Sequence, residues 1–152
     1  MKNLDAISKR NVLFGVSKMP PSKMVEAAKN MENQGNLSDA ADFFHKASDK
    51  NELKRLRQRT VEDGDVFLFL KITRLLAEEN VDSAQLELCA QKAESIGKLR
   101  YAIMAYERLG NEDKVESLKN QVSQDLDIVF EREAKAQVFI PVHTEEIVDE
   151  EG

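Results

Sequence analysis

The sequence predicts an all-α protein. Three observations carry this. Apolar residues recur at spacings of three and four almost throughout the chain. Proline is absent from Ser22 to Val138, so nothing in that span interrupts a helix. Glycines punctuate the periodicity where helices should stop. No alternating strand pattern occurs before "QVFIPV" (137–142).

The elements follow in order. Residues 1–20 form an N-terminal segment with room for one short helix. "PPSKMVEAAKNMENQ" starts the first strong helix on its prolines and Ser22, and Gly35 ends it. Ser38 is the expected cap of the next helix, to about Ser48. A third covers Asn51 to Asp63 and stops at Gly64. Asp65 caps a fourth, to about Glu79, which is apolar around most of its surface and must be covered on several sides. A fifth spans Asp82 to Ile96, and a sixth spans Lys98 to Leu109. The seventh runs from Asn111 to about Ala136, roughly 38 Å at 1.5 Å per residue. Its line Val115, Leu118, Val122, Leu126 and Val129 is one-sided, and self-association through 111–136 is one use for it. The connections are short, so neighbours should pair antiparallel. The organisation is therefore hairpins at about 21–48, 51–79 and 82–109, a last helix at 111–136, and an acidic, flexible tail at 139–152.

Two hairpins share a pattern. Ala28, Gly35, Ala40 and Phe44 stand in the same register as Ala90, Gly97, Ala102 and Tyr106. Two helices joined by a short turn cross closely and need a small residue each at the contact. The aromatic, one turn further on, fills the space where they diverge. Gly64 marks a third hairpin between them, with two departures: Arg57 and Phe69 stand where the other hairpins have alanine. This pattern resembles the tetratricopeptide repeat, a helix hairpin of about 34 residues. "AYERLGNEDKVESL" (105–118) is also similar to the helical repeats of vesicle-coat and intraflagellar-transport subunits. The early Trp and repeat-ending proline of the tetratricopeptide pattern are missing. The resemblance covers about 22–109. It implies a right-handed stack of antiparallel hairpins, an α-solenoid closed by a long C-terminal capping helix.

The resemblance also implies a non-enzymatic protein–protein interaction role, as an adaptor or assembly subunit binding a peptide or helix. The alternatives are a chaperone for a partner's exposed segment and a subunit of a coat-type complex. Ligands of such repeats lie in the groove lined by the first helix of each hairpin. By position that groove presents Val25, Lys29, Glu32, Asn33, Lys54, Gln58, Val61, Glu87, Gln91 and Glu94.

The residues themselves say less about chemistry. The net charge is −6, which disfavours nucleic acid as a partner. Cys89 is the single cysteine and lies in a helix without basic neighbours, which suits an inert thiol. His45 and His143 are far apart in sequence, and no metal spacing, phosphate loop or nucleophile motif occurs. "DGD" (63–65) lacks the alternating ligands of a calcium loop. No cofactor is expected. No apolar run reaches the ~20 residues of a membrane span, the N-terminal stretch does not read as a signal peptide, and a cytoplasmic protein is the expectation. The basic run Lys50, Lys54, Arg55, Arg57 and Arg59 reads most simply as a solvated face. Its functional alternative is a docking patch for an acidic peptide or lipid surface, which the tail "HTEEIVDEEG" (143–152) would cover.

Overall fold

The computed structural model describes residues 4–77 and 81–137, with side chains placed as far as Asp125. The described residues form eight α-helices and no strand. They are α1 (Ala6–Leu13), α2 (Pro21–Asn33), α3 (Leu37–Lys46), α4 (Lys50–Glu62), α5 (Val66–Leu75), α6 (Ser83–Ser95), α7 (Leu99–Leu109) and α8 (Glu112–Gln137). The acidic tail lies outside the described residues.

Local chemistry explains the starts. Side chains of Asp5, Asp49, Asp65 and Asp82 accept hydrogen bonds from backbone N–H groups of the first turns of α1, α4, α5 and α6. Pro21 opens α2, where a missing N–H costs nothing. One expectation is corrected. Ser38 does not cap α3: the cap position is Asn36, and Ser38 already lies in the first turn, where it binds Lys71.

Within each of the pairs α2–α3, α4–α5 and α6–α7 the helices pack closely. α3 touches both α4 and α5, α5 touches both α6 and α7, and α4 touches α6. α1 rests on α3, and α8 rests on α7. Ala28, Ala40, Ala90 and Ala102 are all fully buried, as the small-residue contacts require. Phe44 and Tyr106 are buried beside them.

Two apolar clusters result, and α5 serves both. Leu68, Ile72 and Leu76 join the cluster of α1, α2 and α3. Val66, Phe69 and Leu70 join the cluster of α6, α7 and α8. This divided duty is why the helix is apolar on most sides. The exception is Phe67, which is 60% exposed.

The departures in the middle hairpin fit each other. Arg57 is only 8% exposed, and its guanidinium lies 5.7 Å from the centroid of the buried Phe69 ring. A cation–aromatic contact thus occupies the crossing that two alanines occupy elsewhere.

Candidate functional site

The first helices of the hairpins carry the residues expected to line a groove, and the structure sorts them by use. Asn33, Lys54, Gln58, Glu87 and Gln91 are exposed, and Val25 is half-buried. Val61 is buried in the second apolar cluster. Glu32 is also buried, where it accepts from Arg55 Nη2 at 2.5 Å and from Arg59 Nη1 at 3.1 Å. Lys29 pairs with Glu52 at 3.0 Å, and Arg55 Nε donates to the same Glu52 at 2.6 Å. Arg55 holds the Glu32 carboxyl below the usual carboxylate range, with Arg59 adding to the effect. Glu94 occupies the same register position in the third hairpin. It accepts from Lys114 of α8 at 2.9 Å and from the Tyr106 hydroxyl at 3.0 Å. The lysine, with help from that hydroxyl, lowers the Glu94 pKa.

The basic run is consequently not one exposed patch. Arg57 is buried, and Arg55 and Arg59 are committed to Glu32, Glu52 and Asp63. Lys50 and Lys54 remain exposed. Cys89 is buried, with Sγ 3.5 Å from the Thr60 carbonyl oxygen, and burial pushes its pKa up to about 12. At neutral pH it is a thiol, not a nucleophile. His45 is exposed on α3. No group of three metal-ligating side chains occurs among the described residues, and no helix there is long and apolar enough to cross a membrane.

The second helices carry a feature that the repeat register does not suggest. A groove of about 380 Å³ runs over α3, α5 and α7, lined by Ser38, Phe67, Leu70, Arg74, Met104 and Arg108. A second hollow continues from Phe67 and Ser38 to the α2–α3 turn at Gly35. Phe67 therefore stands exposed between two depressions. Lys71, also on the rim, is held by Asp42 at 2.8 Å. Arg74 and Arg108 are exposed and have no ion partner among the described residues. Phe67 is the one residue of "VFLFL" that neither core cluster takes, and nothing in the sequence pattern singles it out. A larger hollow, about 510 Å³, lies between the start of α7 and α8, against Leu99, Tyr101 and Val122.

Aromatic and arginine side chains exposed together in a groove favour macromolecular recognition. Such an arrangement can bury an apolar side chain and pair with carboxylates. Compared with known proteins, the chain matches no family model, no curated protein and no solved structure.

Proposed function

We propose that this chain is a non-enzymatic protein–protein interaction module. Its hairpins are read as a tetratricopeptide-like solenoid, supported by the matching registers about Gly35 and Gly97 and by the contacts of each hairpin with the next. The observation that carries the reading is Phe67, exposed in the α3–α5–α7 groove with Arg74 and Arg108, which have no ion partner among the described residues. The matching partner is a segment with an apolar anchor flanked by carboxylates. Burial of the anchor supplies affinity, and the arginines set register and favour acidic sequences. The first-helix surface, with Lys29 and Glu32 already paired to α4, is the weaker place for a partner.

The test is affinity capture with cross-linking mass spectrometry, comparing the wild type with Phe67→Ala and with Arg74→Glu/Arg108→Glu. Cross-links should map to α5 and α7. Phe67→Ala should cut capture at least about tenfold, the loss typical of a buried aromatic anchor, while circular dichroism stays unchanged. Equal capture by folded variants would reject this groove as the site. A second reading, self-association along α8, is favoured by the apolar hollow at Tyr101 and Val122. Light scattering of the full chain and of a chain ending at Ser123 decides it, and a monomer in both removes it.

A further inference from the structure

The N-terminal helix has two apolar sides, and the fold uses one. Val12 is in the first core cluster, with Leu4 and Leu13 packed against it. Lys9 pins the same side to α3 through Asp39 at 2.7 Å. Ile7, Phe14 and Val16 point elsewhere and are 73%, 78% and 75% exposed. Ile7, Arg10 and Phe14 are spaced three and four apart, so they form one outward stripe. Phe14 and Val16 flank Gly15 in a tight turn, in which Gly15 N–H donates to Val12 O and Ser17 N–H to Asn11 O. A Cβ at Gly15 would find nothing within 4 Å. Phe14, Gly15, Val16 and Ser17 are all exposed.

Charge is polarised in the same place. The first 23 residues hold Lys2, Lys9, Arg10, Lys18 and Lys23 against Asp5 alone, in a chain of net charge −6. Arg10, Lys18 and Lys23 are exposed and unpaired among the described residues.

We propose that α1 and the Phe14–Ser17 turn form a lipid-contacting tip that seats on an anionic bilayer surface. Phe14 and Val16 enter the boundary between headgroups and acyl chains, and Arg10 and Lys18 meet the lipid phosphates and carboxylates around them. A convex tip of three apolar side chains suits a deformable surface. It suits a protein interface less, since a stable one buries about 800 Å² on each partner. The acidic body does not oppose this contact strongly, because charges beyond about 8 Å are screened at physiological ionic strength. Binding through so small a tip is weak and reversible, and it would place the α3–α5–α7 surface near a membrane without inserting it.

The chain has no tryptophan, so F14W introduces a unique reporter. With vesicles rich in phosphatidylserine its emission should shift to the blue. The shift should shrink with added salt and be weak on phosphatidylcholine alone. In sedimentation with the same vesicles, F14D/V16D should stay in the supernatant, and R10E/K18E should bind at least tenfold more weakly. These side chains stand outside the core, and circular dichroism checks that the variants fold. No shift and no sedimentation with the anionic vesicles overturns the proposal. So does equal sedimentation of F14D/V16D. A lipid-free blue shift that grows with protein concentration also overturns it, by assigning the patch to another protein surface.

Discussion

The first helix of the middle hairpin meets the first helices of its two neighbours in different ways. Toward the first hairpin, α2 and α4 make no close backbone approach, and long charged side chains bridge the space: Lys29 to Glu52, and Arg55 and Arg59 to Glu32. Toward the third, the backbones meet directly. Gly64 sits against α6 so tightly that a Cβ there would lie 2.8 Å from Ala93 N and 2.9 Å from Ala93 Cα. Cys89 and Lys98 donate to the carbonyl oxygens of Thr60 and Asp63 at the same end of α4. The α2–α4 contact is thus polar, while α4 meets α6 by close backbone packing; the first junction also includes apolar packing through α3. The lesson is that a shared hairpin register does not dictate how hairpins join. The register position three before the turn glycine is Glu32 in the first hairpin and Val61 in the second, one bound to arginines and the other buried in the apolar cluster.

The difference can be broken most sharply at Gly64. Gly64→Ala forces a side chain into a left-handed backbone with φ +60 and into the α6 backbone. We expect a loss of about 3 kcal/mol or more in urea unfolding. Gly35→Ala has a similar φ, +81, but nothing within 4 Å of the added carbon, so its loss should stay near about 1 kcal/mol. Equal losses at the two glycines would show that the close approach to Ala93 is not a constraint.

A smaller effect is expected at the first junction. Glu32→Gln should cost about 2 kcal/mol, because three hydrogen bonds from two arginines lose their charged acceptor. The pH dependence has a definite sign. Arg55 and Arg59 lower the folded-state pKa of Glu32 from its ordinary 4.5. Its contribution is therefore complete above that value and disappears as pH falls through the lower folded value. Stability followed by chemical denaturation should fall in this acid range, and less steeply in Glu32→Gln. Parallel acid profiles would remove Glu32 from the account. The smallest effect belongs to the crossing inside the middle hairpin. A double-mutant cycle on Arg57→Ala and Phe69→Ala should return a coupling of about 1 kcal/mol. A coupling of zero would mean that the ring and guanidinium are merely neighbours.

Helix positions were readable because apolar spacing, aspartate caps and turn glycines agree with one another. Arg57 and Phe69 were visible as departures. Their meaning emerges only when both are placed on the same crossing, seven residues before Gly64 and five after it. Cap choice at α3 was misread because Asn36 and Ser38 are both good capping residues. The side-chain pairing on the first helices was less legible. Register assigns a groove to them, but salt bridges between α2 and α4 depend on rotamers and helix separation, which spacing does not encode. Exposure of Phe67 likewise depends on which sides of α5 the two neighbours cover.

The two stripes of α5 carry a consequence for how the protein comes apart. An array of repeats can ordinarily fray from one end, since each unit leans only on the next. Here the element that supplies Ile72 to one cluster supplies Phe69 to the other. Losing either half strips an apolar side from α5, and so raises the cost of keeping the remaining half. A single cooperative transition is therefore expected, with the two ends tied through α5 and through α4, which gives Leu53 and Leu56 to one cluster and Val61 to the other.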